Sequence, residues 1–150
     1  MAQPALSLRA RALRSLARRE HTRSELRRKL APHEETEGQL DALLDPLQAQ
    51  GFLSDERAAA SLVHRRAARL GTQRLRQELQ AKGLDASTVD AALEGLGGTE
   101  LERARVLWER KFGAPAPDAA GRARQVRFLL ARGFASDTVR RVVRGVEDDF

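Results

Sequence analysis

The sequence predicts an all-α protein: an elongated, curved array of three tandem three-helix repeats. Three observations lead there. Apolar residues recur at three-, four- and seven-residue steps, as in Leu75, Leu79, Leu84, Val89, Ala92, Leu93 and Leu96, the spacing that places one stripe on one helix face. Hydrophobic residues make up 41% of the chain but aromatic residues only 4%, with no Tyr, so the core must be mainly Leu, Ala and Val, a helical vocabulary. The pattern also returns about every fifty residues: Leu30, Leu79 and Leu129 correspond, as do Leu40, Val89 and Val139, and Leu44, Leu93 and Val143. Units so small bury little alone and depend on stacking against neighbours.

Residues 1–8 read as a flexible lead, and residues 9–53 as the first repeat. Its first helix, 9–20, carries Ala12, Leu13, Leu16 and Ala17 on one face. Thr22 and Glu25 form a capping box for a second helix with Leu26 and Leu30, which ends before Pro32. A third, 35–50, buries Leu40, Leu43, Leu44 and Leu47 and stops at Gly51. In the second repeat, 54–98, Ser54 or Asp55 opens a helix with Ala58, Ala59, Leu62 and Ala67 inside, which Gly71 stops. Thr72 caps the next, Gly83 ends it, Asp85 caps the third, and Gly95, Gly97 and Gly98 form a turn. The third repeat, 99–146, starts with a Thr99–Glu102 capping box and a helix holding Leu101, Ala104, Leu107 and Trp108. An Ala/Pro linker at 113–117 cannot continue that helix. Asp118 caps one with Val126, Leu129 and Leu130, Gly133 ends it, and Ser136 starts the last, with Val139, Val142, Val143 and Val146 inside. Residues 147–150 form an acidic tail.

The formal net charge is +6, and of 27 basic residues only Lys29, Lys82 and Lys111 are lysine. Guanidinium groups make forked bonds to phosphate and carboxylate, so the excess suits nucleic acid or an acidic protein surface. The absence of Cys removes disulfides, thiolate metal sites and Cys nucleophiles. No apolar run approaches the ~20 residues that span a bilayer, so no membrane association is expected. The Arg-rich, acid-free opening has the composition of a transit peptide, but Leu13, Leu16 and Ala17 suit the first helix of a repeat. His21, His33 and His64 lack ligand spacing, which argues against a metal site. No phosphate-loop motif is present and the acidic residues are too evenly scattered to nominate a catalytic pair, so neither an enzyme nor a cofactor is expected. Leu40, Leu43 and Leu44 spell a Leu-x-x-Leu-Leu partner box, yet they are the core stripe of a repeat.

Gly51-Phe52-Leu53-Ser54-Asp55-Glu56-Arg57-Ala58-Ala59, then Gly71, Arg74, Leu75, Glu78, Leu79, Lys82 and Gly83, and finally Arg132-Gly133-Phe134 with Asp137 and Val139, resemble the RecX regulatory family in order and spacing. The resemblance runs from about residue 10 to 145. It implies a cytoplasmic bacterial protein, expected as a monomer, that is not an enzyme and binds RecA and the RecA–DNA filament. Lying along the filament groove and bridging protomers, such a protein hinders filament extension, ATP hydrolysis and strand exchange. It thereby modulates homologous recombination, DNA repair and the SOS response. Two positions depart from the family pattern: Ala58 stands where an aromatic is common, and Ala31-Pro32-His33-Glu34 replaces a glycine between helices.

On the second and third repeats Arg74 and Arg124 are equivalent, as are Lys82 and Arg132, while Arg76, Arg122 and Arg127 extend the same helices. Lys111 with Phe112 resembles a family Lys-Phe pair, in which Phe112 packs; Trp108 reads as core. The cations are expected to form a stripe facing RecA acidic groups or DNA phosphates, against the alternative of ordinary solvated helix faces. A second reading is a helical protein that binds single- or double-stranded DNA weakly, without sequence preference, since no helix carries a base-reading cluster.

Overall fold

The computed structural model describes residues 5–144, and every regular element among them is helical. The helices are α1 (Leu8–Arg18), α2 (Arg23–Leu30), α3 (Gln39–Ala49), α4 (Asp55–Arg66), α5 (Thr72–Ala81), α6 (Ala86–Leu93), α7 (Glu100–Lys111), α8 (Ala119–Ala131) and α9 (Ser136–Arg144). Short 3-10 turns occupy Ala31–His33 and Leu96–Thr99. Val146 and the acidic tail at 147–150 lie outside the described residues.

Local capping chemistry sets most boundaries. The Thr22 hydroxyl accepts the Glu25 N–H at 3.1 Å while Glu25 Oε1 accepts the Thr22 N–H at 3.1 Å, so the capping box is complete. Ser54 accepts from Arg57 N at 3.2 Å, and Asp118 from Gly121 N at 2.7 Å. Asp85 accepts from Thr88 N at 2.8 Å, a bond that holds its carboxyl below the ordinary value. Other expectations need correcting. The Thr99–Glu102 box does not form: Thr99 has helical backbone angles, and its hydroxyl donates to Leu96 O at 3.0 Å and accepts from Arg103 Nε at 3.1 Å. Thr72 is the first residue of α5 rather than its cap, and its N–H reaches Glu100 Oε1 at 3.2 Å. The third helix starts at Gln39, not 35, because the 3-10 turn at Pro32 and the left-handed Gly38 (φ 86°) hold the intervening chain away from helix. Ala17 and Leu130 are exposed; the buried row of α8 is Gly121, Gln125 and Leu129, which turns Leu130 outward. Leu13, Leu16 and Leu43 are half-buried.

The chain forms two compact units, one built from the chain up to Ser61 with Leu79–Val89, the other from Leu62–Glu78 with the chain from Asp90 onward. In the first, Leu8, Ala12, Leu26, Leu30, Leu40, Leu44, Leu47 and Leu53 make one apolar cluster. In the second, Ala104, Trp108, Leu129, Phe134, Val139, Val142 and Val143 do so, with Phe112 packed against them. Trp108 Nε1 donates to buried Gln125 Oε1 at 3.1 Å, and the Gln125 amide donates to Ala114 O at 3.0 Å, so the polar groups of this core are satisfied and the Ala/Pro linker is tied to it.

Each unit contains the same junction between successive repeats. In the first, the Thr22 hydroxyl donates to Lys82 O at 2.6 Å and Asp55 Oδ1 accepts the Arg23 N–H at 2.8 Å. In the second, Gly71 N donates to Arg132 O at 2.8 Å and Glu100 Oε1 accepts from Thr72 N. Thus a carboxylate on the first residue of one repeat's opening helix, α4 or α7, caps the middle helix of the preceding repeat. Gly83 and Gly133 turn at φ 79° and 89° beside Ser24 and Arg74, where only glycine combines the left-handed backbone with so close an approach.

The second junction also has a clasp. Arg103 donates to Ala67 O at 2.8 Å, Leu70 O at 2.6 Å and Thr72 Oγ1 at 3.3 Å, and its guanidinium lies 6.0 Å from the Phe134 ring centroid. Burial lowers its pKa, with Glu100 opposing, and the carbonyls it meets follow the end of α4, where helix C=O groups lack partners. Arg103→Lys keeps the charge but not the planar fork, so unfolding in urea should show a loss of about 2 kcal/mol. An unchanged midpoint would mean that the carbonyls find other donors.

Candidate partner-binding surface

Seven of the eight basic residues expected to meet a partner, Arg74, Arg76, Lys111, Arg122, Arg124, Arg127 and Arg132, belong to the second unit; Lys82 belongs to the first. Helix α8 carries three of them. Its cap at Asp118 and its buried Gly121, Gln125 and Leu129 secure one side, leaving Arg122, Arg124 and Arg127 exposed with no ion pair among the described residues. Arg74 is likewise exposed and unpaired among them, its Cβ set against Gly133.

Two more are gathered on one aromatic ring. Lys111 Nζ lies 5.6 Å and the Arg132 guanidinium 5.0 Å from the centroid of Phe128, which Phe112 meets edge-on at 5.4 Å. This gives the Lys111-Phe112 pair a role beyond packing: Phe112 braces the ring that collects both cations. Phe128 is not among the residues singled out by sequence; its signal is an aromatic among the basic residues of α8.

The remaining two are engaged. Arg76 pairs with Asp90 at 2.8 Å, both partly exposed, a contact that a stronger partner can displace at little cost. Lys82 pairs at 3.1 Å with Glu25 Oε2, which also takes Arg19 at 3.0 Å. Burial would raise the Glu25 pKa, but hydrogen bonds from Arg19, Thr22 and Lys82 outweigh it and lower it to about 2. Among the described residues no group of three or more His, Asp or Glu side chains could hold a metal, and no helix is long and apolar enough to cross a membrane.

Chemically, the surface offers forked and point cations on secured helices. Family models place it further: those described as the RecX first, second and third three-helix domains match residues 9–47, 54–93 and 99–143. The chain belongs to the RecX family. It is 58% identical over 142 residues to regulatory protein RecX of Leptothrix cholodnii, covering 95% of this chain and 90% of that one. It is 46% identical over 149 residues to the protein of the same name in Herminiimonas arsenicoxydans, covering 99% of each chain. The crystal structure of RecX from Lactobacillus salivarius shares the fold, with a TM-score of 0.76 at 20% identity over 93% of this chain and 94% of that one. The relatives are named as regulatory proteins.

Proposed function

We propose that this RecX-family chain is a cytoplasmic regulator that binds RecA and its nucleoprotein filament without catalysis of its own. It restrains filament extension, ATP hydrolysis and strand exchange, and so modulates homologous recombination and DNA repair. The observation that carries this reading is the match of all three repeats, in order, to the three domains of a regulatory family. The uncompensated arginines supply the contact: Arg74, Arg122, Arg124 and Arg127 offer guanidinium forks to the carboxylates of a protein partner.

ATP turnover by RecA assembling on single-stranded DNA tests it. The protein should depress turnover, and Arg74→Glu with Arg124→Glu should raise the concentration for half-inhibition at least about tenfold while leaving helicity intact, as expected when charge pairs at an interface become repulsive. Unchanged turnover at saturating protein would overturn the reading. Full inhibition by the double variant would move the contact elsewhere.

A further inference from the structure

In the first unit the residues after α1, the body of α2 and the end of α5 with Lys82 line a cavity of about 340 Å³, with Arg19, His21, Glu25, Arg28, Lys29 and Lys82 in its wall. Four cations therefore face one carboxylate. That carboxylate is already committed: Oε1 accepts the Thr22 N–H, and Oε2 accepts from both Arg19 and Lys82. Arg28 and Lys29 are exposed, with no ion pair among the described residues.

His21 is 1% exposed, and its Nδ1 lies 3.0 Å from Arg19 O, a geometry in which Nδ1–H donates. Its Nε2 is buried and has no hydrogen-bond partner among the described residues. A buried ring nitrogen without a partner, in the wall of a cationic cavity, points to a ligand rather than to core packing. No Phe, Tyr or Trp lines the cavity and the His21 ring is 1% exposed, so a base would find little stacking surface, and Ala81 is the one apolar residue in the wall, so an apolar side chain would find little cover. Guanidinium and ammonium donors in a concave site suit a phosphate oxyanion.

We propose that this cavity binds a phosphodiester of a nucleic-acid backbone, with Arg28 and Lys29 on its anionic oxygens, and that binding is coupled to uptake of one solvent proton at His21 Nε2. In the neutral ring the Nε2 lone pair opposes an approaching oxyanion; the added proton turns it into a donor while Nδ1–H stays on Arg19 O. The groups facing His21 are Arg19 just after α1, Glu25, Arg28 and Lys29 on α2, and Lys82 after α5. Burial lowers the His21 pKa, so the unliganded ring is neutral at pH 7, and Glu25, held at about 2, stays ionised. A phosphodiester does not titrate in this range. The phosphodiester's negative charge opposes the lowering by burial and favours the protonated His21 ring.

The test uses the full chain without RecA, so its result is independent of the filament reading. Fluorescence anisotropy of a labelled oligothymidylate is followed across salt and pH. Arg28→Glu with Lys29→Glu should weaken binding at least about tenfold and lower the slope of log K against log salt by about 1.4, two single-strand phosphate contacts at about 0.7 each. The wild type should bind several-fold more tightly at about pH 5.5 than at about pH 7.5, and His21→Gln should flatten that rise. If His21→Gln fails to fold, NMR titration of the His21 ring in the wild type replaces it: a pKa raised by the oligonucleotide supports the coupling, and an unmoved one refutes it. Unchanged affinity and slope in the double variant would overturn the site. So would displacement of the oligonucleotide by polyglutamate at equal charge, which would make the cavity a carboxylate site, or by inorganic phosphate at equal ionic strength, which would make it a free-phosphate site.

Discussion

Gly71→Ala is expected to lower stability by about 3 kcal/mol, at the upper end for overpacking, and to lower the melting temperature by about 10 °C for a chain of this size. A Cβ at Gly71 would overlap the carbonyl of Gly133 and the nitrogen of Phe134. Those are backbone atoms, so no rotamer change relieves the clash; the chain must part there. Parting lengthens the Gly71 N–H···O bond to Arg132, which is 2.8 Å, and disturbs Arg103, whose donors reach the carbonyls of Ala67 and Leu70 just before Gly71. Gly97→Ala is the control: nothing lies within 4 Å of its added Cβ, so its melting point should stay close to that of the wild type. Equal melting points for Gly71→Ala and the wild type would show that the junction is open in solution.

Gly71 also marks how far the sequence could be read. Its expected role as the stop of α4 needs correcting, since α4 ends at Arg66 and residues 67–70 turn ahead of the glycine; only the nearby end of a helix was legible. Its fit against Gly133 was not, because that contact is made only once the chain has folded. The same division runs through the caps. Thr22, Ser54, Asp85 and Asp118 bond to an N–H three residues on and could be identified by spacing. Asp55 and Glu100 cap helices of a preceding repeat, and no short spacing announces them. At Thr99 the pattern misled because Leu96 and Arg103 compete for the hydroxyl. The basic series was legible as charge, whereas the Asp90 and Glu25 partners of Arg76 and Lys82, and the ring beneath Lys111 and Arg132, required the packed structure. Arg103 looked like any other arginine, and its difference lies entirely in the carbonyls it meets.

Glu25→Gln should separate stability from binding. The Glu25 pKa falls from an ordinary 4.5 to about 2, a stabilisation of the folded state worth about 3 kcal/mol. Because the folded value lies below the ordinary one, this contribution is present in full above about pH 4.5 and disappears as pH falls toward about 2. Gln retains an oxygen for the Thr22 N–H, so what the variant removes is the counter-charge shared by Arg19 and Lys82. Urea unfolding should therefore show a gap of about 3 kcal/mol at pH 7 that closes as the wild type is acidified. Parallel stability curves for the two proteins would mean that Glu25 acts through its cap alone. The cationic cavity should respond in the opposite direction. Without its one carboxylate, the wall holding Arg19, Arg28, Lys29 and Lys82 attracts an oxyanion more strongly, so oligothymidylate should bind more tightly and with a steeper salt dependence. A variant that unfolds more easily yet binds more tightly cannot be explained by general loss of structure, since loosening α2 against the residues after α5 would scatter those cations rather than concentrate them.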